Sequence, residues 1–166
     1  MEVKHECLSC EAVLLDRTGL WKVADPLTVG RLSNLDEAYG NISNPNIYLS
    51  PEQCWSIETQ RPIQDKNAYK NDVFVFGMML LQCGLLENQR QCYSLEFSHL
   101  KWDLLNQNIS RFSQKYPQPE LSQVLESMLS KDISSRPDWI TLSQMTSNRQ
   151  LSYRKSGAMK EMAVSK

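Results

Sequence analysis

Cys7 and Cys10 stand at Cys-x-x-Cys spacing, which offers two sulfur ligands to a zinc ion or a dithiol to redox exchange. A closed zinc site needs two more ligands, and Cys54, Cys83 and Cys92 provide no second closely spaced pair. A small zinc or redox centre therefore competes with ordinary reduced thiols. The odd total of five cysteines, in a chain without a secretory start, favours the thiols. A second set of reactive groups is the hydroxyls of Thr28, Ser33, Tyr39, Ser43 and Tyr48, each a possible phosphate acceptor.

The elements that must position these groups follow from pattern. Ala12-Val13-Leu14-Leu15 and Leu20-Trp21-Lys22-Val23 are β-prone runs separated by Asp16-Arg17-Thr18-Gly19, a hairpin signal. From Thr28 to Ile47 the chain is rich in Asn, Ser and Gly with no apolar period, which predicts a long loop. Val73 to Leu81 is apolar on every face, with Asn71 or Asp72 available as N-cap, so it predicts a buried helix. Leu121, Val124, Leu125, Met128 and Leu129 give an amphipathic stripe whose start Pro117 and Pro119 mark. Pro137 suits the first turn of a further helix over Trp139 to Met145.

At 166 residues and 41% hydrophobic content the chain fits one packed domain. Eighteen Lys and Arg against 19 Asp and Glu give no field to attract nucleic acid or an anionic membrane. No run approaches the roughly 18 apolar residues of a membrane span, and the N-terminus lacks a signal pattern, so a cytoplasmic protein is expected. The stretch after Thr146 carries five basic residues against Glu161 and reads as a basic tail, 147–166.

The order of these pieces resembles the C-terminal lobe of protein kinases over residues 5–146. His5-Glu6-Cys7-Leu8-Ser9-Cys10-Glu11-Ala12 is similar to the catalytic-loop motif His-Arg-Asp-Leu-Lys-x-x-Asn. Lys22-Val23-Ala24-Asp25-Pro26-Leu27 resembles the segment ending in Asp-Phe-Gly, and Tyr48-Leu49-Ser50-Pro51-Glu52 the Ala-Pro-Glu motif, so 28–50 corresponds to the activation segment. Asn71 to Leu80 is similar to the family's central helix, and Ser135-Arg136-Pro137 to its late Arg-Pro motif. The implied fold is mainly α (α+β), a kinase C-lobe-like helical bundle with a small β-hairpin and no N-terminal lobe.

The resemblance also says which functions are missing. Cys7 stands where the catalytic Asp would accept a proton, and a thiol with an ordinary pKa near 8.5 is a poor substitute. Ala12 replaces the magnesium-binding Asn and has no oxygen to offer. Ser9 replaces the phosphate-neutralising Lys, and Glu6 replaces the Arg that grips an activation-loop phosphate. Asp25 keeps a metal-binding carboxylate beside Pro26 and Leu27, although a plain turn Asp is the simpler reading. By contrast the architectural positions persist: Glu52 and Arg136 match a buried ion pair, and Asp72 matches the acid that holds the catalytic-loop backbone.

These substitutions imply a catalytically inactive, kinase-like scaffold with no cofactor, belonging to a larger assembly. Its expected protein partner covers Val73–Leu81, left bare by the missing preceding helices, or else the hairpin. The rival is a protein kinase or nucleotide-binding domain, weakly holding ATP and magnesium, whose other half lies elsewhere.

Overall fold

In a computed structural model of the chain, residues 5, 8–24, 47–63, 68–95 and 99–147 are described. The architecture is mainly α with one antiparallel two-stranded sheet. Strand β1 (Val13–Leu15) pairs with β2 (Trp21–Val23) in the register Val13 to Val23, Leu14 to Lys22 and Leu15 to Trp21. Asp16 organises the intervening turn. Its Oδ1 accepts from the backbone N–H groups of Thr18 and Leu20 and from the Thr18 hydroxyl, and Lys22 Nζ lies 2.9 Å from its Oδ2. The Thr18 hydroxyl first, and Lys22 next, hold the Asp16 carboxyl well below the usual carboxylate range. Gly19 completes the turn at φ 81°, a conformation that side-chain-bearing residues resist.

Helix α1 (Pro51–Thr59) begins with a capping box. Ser50 Oγ accepts from Gln53 N–H at 3.2 Å, and Gln53 Oε1 accepts from Ser50 N–H at 2.8 Å. Helix α2 (Asn71–Leu85) is followed by α3 (Trp102–Lys115), α4 (Pro119–Met128) and α5, residues 139–147. Pro119 starts α4, as its position implies. Two boundary readings are corrected. Lys70, without a side-chain cap, precedes α2, so Asn71 and Asp72 lie inside its first turn. Pro137 lies ahead of α5, and Asp138 caps that helix by accepting from Thr141 N–H at 2.6 Å.

The core is built around α2, which α3 and α4 flank while packing on each other. Val73, Phe74, Met78 and Leu81 are 0% exposed, and only Phe76 and Leu80 of the 73–81 run keep partial exposure. All-round burial is what an all-apolar helix requires. The expectation that Val73–Leu81 presents a bare apolar patch to a partner is therefore corrected: the downstream helices of the same chain close over it. The Trp139 ring adds to that cover, 5.6 Å from the Phe76 ring. Gly84 permits the tightest approach, since a Cβ there would overlap the ring of Phe112. Its carbonyl accepts from Tyr116 Oη at 3.0 Å and Lys115 Nζ at 2.8 Å, tying α2 to the end of α3. Among the described residues, no helix is long and apolar enough to cross a membrane.

Candidate functional site

The segment resembling a catalytic loop meets α2 through backbone contacts. His5 N–H donates to Asp72 Oδ2 at 2.6 Å, so the Asp72 carboxylate reaches back to the segment ahead of the hairpin. His5 Nε2 lies 2.8 Å from the carbonyl oxygen of Ala24. A carbonyl only accepts, which assigns the ring proton to Nε2 in this contact. Ala24 N–H in turn donates to Ala12 O at 2.7 Å, and Ala12 N–H to Ser9 O at 3.0 Å. His5, Ala12 and Ala24 are thus drawn to one junction at the foot of the hairpin, beside the N-terminal turn of α2.

The chemistry at that junction is sparse. Ala12 is 0% exposed and presents a methyl group where the resemblance calls for an amide oxygen. Asp72 is 4% exposed and its Oδ2 is engaged by the His5 amide. Glu6, Cys7, Asp25, Pro26 and Leu27, the loop through residue 46 and the tail from residue 148 lie outside the described residues. The placement of the Cys7 and Asp25 readings is accordingly not described. Among the described residues no cluster of three or more His, Cys, Asp or Glu side chains stands ready to hold a metal ion.

Glu52 and Arg136 come together across 84 sequence positions. Arg136 Nη1 donates to Glu52 Oε2 at 2.7 Å and Nη2 to Oε1 at 2.8 Å, a two-pronged pair. Arg136 Nε also donates to Ser130 O at 2.8 Å, and Nη2 to Lys131 O at 3.3 Å. The guanidinium sits 4.9 Å from the Phe74 ring centroid, on its face. The Arg136 side chain is 0% exposed against 19% for Glu52, so the charge is buried and nearly fully bonded. This pair fastens the start of α1 to the loop between α4 and α5, with α2 beneath it.

Tyr48 is withdrawn from the set of phosphate acceptors. It is 2% exposed, its hydroxyl donates to Gln82 Oε1 and accepts from Gln89 N–H, and its ring stacks on Tyr93. Burial pushes the Tyr48 phenol up to about 12. Tyr93 Oη bonds both the N–H and the carbonyl of Leu49, so the two tyrosines clamp the entry to α1. Composition gave no hint of a neighbouring network in which Asn108 Nδ2 donates to Gln89 Oε1 at 2.9 Å. Gln89 and Asn108 are 0% and 1% exposed, so each amide needs the other.

Among the described residues, the hairpin gathers five exposed apolar side chains, while Leu86, Leu95 and Ile140 are exposed elsewhere. Leu14, Leu15, Leu20, Trp21 and Val23 are between 53% and 69% exposed, whereas α2 contributes nothing comparable along Val73–Leu81. No protein-family model matches the chain, and no curated protein and no solved structure matches it at a significant level.

Proposed function

We propose that the chain is a protein-kinase-like C-terminal lobe that has kept its framework and acts as a protein-interaction module instead of a phosphotransferase. The observation that carries this reading is the buried, two-pronged ion pair between Glu52 and Arg136. The resemblance requires that pair, and neither the Ser-Pro-Glu nor the Ser-Arg-Pro segment requires it alone. The Asp72 carboxylate on the His5 amide supports the same reading, because the resemblance gives Asp72 that duty. Against phosphoryl transfer stand the buried methyl of Ala12 and the thiol of Cys7, neither of which can do what an amide oxygen or a carboxylate does. With α2 covered, the apolar side chains around Trp21 are the surface proposed to meet a protein partner.

Two measurements test this. The purified full chain, given γ-labelled ATP and magnesium, is expected to transfer no label, even with Cys7→Asp and Ala12→Asn combined. Transfer by the unmodified chain would overturn the reading in favour of a nucleotide-using enzyme. A photo-crosslinker placed at Leu20 is expected to capture one recurrent protein in cells. The purified form of that protein should bind roughly tenfold or more weakly to Trp21→Asp, the effect of deleting an interface anchor. Unchanged affinity would remove the hairpin as the contact surface.

A further inference from the structure

The apolar cluster that seats α5 runs on into a groove that the described residues leave unfilled. Val124 of α4 is buried with Val73, Met128 and Leu142, and Leu80 and Met145 pack on the same cluster. Leu80 and Val124 also line a cavity of about 310 Å³, whose walls are completed by Cys83 of α2, Phe112 of α3, Tyr116 just beyond α3 and Leu121 of α4. The polar groups nearby are already committed: Tyr116 Oη donates to Gly84 O at 3.0 Å, and Lys115 Nζ donates to the same carbonyl at 2.8 Å. The Phe112 and Tyr116 rings lie 4.9 Å apart, so the walls are aromatic and aliphatic. A hollow of this kind selects an apolar occupant, and the exposed Cys83 stands in its wall.

We propose that this groove is the seat of the chain's own residues 158–163, with Met159 and Met162 as the side chains that enter it. Three observations favour that occupant. Met145, close to the end of α5 at residue 147, packs on the cluster that contributes Val124 to the groove, so the chain continues from beside it. The stretch from 148 to 158 can span roughly 35 Å when extended, enough to return to the groove. Next, Ala158, Met159, Met162 and Ala163 recur at the spacing of one helix face, in a run of helix-favouring residues after Gly157. Methionine adapts to irregular hollows, and its sulfur is attracted to aromatic rings such as those of Phe112 and Tyr116. The last observation is charge. Arg149, Arg154, Lys155, Lys160 and Lys166 stand against Glu161 alone, whereas the whole chain is net −1, so the remainder is acidic and attracts this segment. Docking within one chain also needs little intrinsic affinity, because the tether supplies an effective concentration in the millimolar range. This contact is separate from the hairpin surface and stands whether or not the interaction role is correct.

The test uses the full chain with a photo-crosslinker placed at Met162, isotopically heavy and light forms being mixed before irradiation. The expected product joins residue 162 to Phe112, Leu121 or Val124 of the same chain, with no heavy-to-light pair. In a second measurement, iodoacetamide alkylation of Cys83, followed on its own peptide, should run roughly fivefold faster when Met159→Asp and Met162→Asp are combined, as when the docked form outweighs the free one several times over. Both substitutions lie outside the described residues, and the crosslink requires neither. A heavy-to-light product would give the groove to a second copy and overturn the proposal. Crosslinks confined to other surfaces, or an unchanged rate at Cys83, would each overturn it as well.

Discussion

Replacing Glu52 by Ala probes the whole framework. The substitution leaves the Arg136 guanidinium, 0% exposed, without the carboxylate that takes two of its bonds at 2.7 and 2.8 Å. The carbonyls of Ser130 and Lys131 remain, but they carry no compensating charge. Stranding one partner of a buried pair costs about 3–5 kcal/mol, against about 0–1 kcal/mol for an exposed pair. In a chain of 166 residues that loss lowers Tm by roughly 6–20 °C. Replacing both charges, Glu52→Leu with Arg136→Met, should recover much of the loss, because an apolar pair of similar volume needs no desolvation of charge. Urea denaturation followed by tryptophan fluorescence measures all three proteins. A loss below about 1 kcal/mol for Glu52→Ala would refute the reasoning, since it would give the pair the standing of a surface contact. So would a double variant as unstable as the worse single one.

Two further outcomes follow from local geometry. Stability should fall steeply in alkali, because Cys54 rises from 9.0 to about 12 and Cys10 from 9.0 to about 11 on folding, chiefly through burial, with Tyr48 rising from 10.0 to about 12. Each folded value lies above the unfolded one, so the contribution is complete below about pH 9 and drains away from there towards pH 11 to 12. Cys54 alone contributes a slope of up to about 1.4 kcal/mol per pH unit, and urea midpoints from pH 8 to pH 10.5 should flatten in Cys54→Ala. Leu86 caps the C-terminal end of α2 at φ 58° and is 83% exposed. Leu86→Gly should therefore raise stability by roughly 0.5–1 kcal/mol while Leu86→Ala does not, and a loss in thermal denaturation of the glycine variant would refute this.

What the sequence reveals, and what it hides, divides along the range of the signal. The hairpin, α2 and α4 are legible because each is written in one contiguous period: two apolar runs around Asp16 and Gly19, an unbroken apolar stretch, and a stripe after Pro119. Helix α1 is passed over because its apolar content is low, yet Ser50, Pro51 and Gln53 spell a capping box ahead of it. Helix α3 carries its signal at Leu105, Ile109 and Phe112, which recur at helical spacing and are all buried, and the polar residues between them mask it. Long-range pairs fare differently. Glu52 with Arg136 is reached only through resemblance, since nothing local to either residue names the other. The Gln89 and Asn108 amides and the two tyrosines that clamp Leu49 have no signature at all, because a buried amide is recognised only once its partner is in place.

The covered state of α2 changes where an interaction surface is to be sought. A two-stranded hairpin with strands of three residues is at best marginal by itself in water. Here it is held from below by Ala24 N–H on Ala12 O, and the same junction is pinned to α2 by the His5 amide on Asp72. A strand pair fixed at its foot can carry Leu14, Leu20 and Trp21 in water without collapsing, and it presents them at little cost in conformational entropy when something binds. Asp72→Asn tests that coupling. The amide keeps an acceptor for the His5 N–H but loses the charge that strengthens the bond, so hydrogen exchange at Ala24 should quicken while α3 and α4 keep their protection. Uniform loosening of the lobe would instead make Asp72 a plain stabiliser of its own helix.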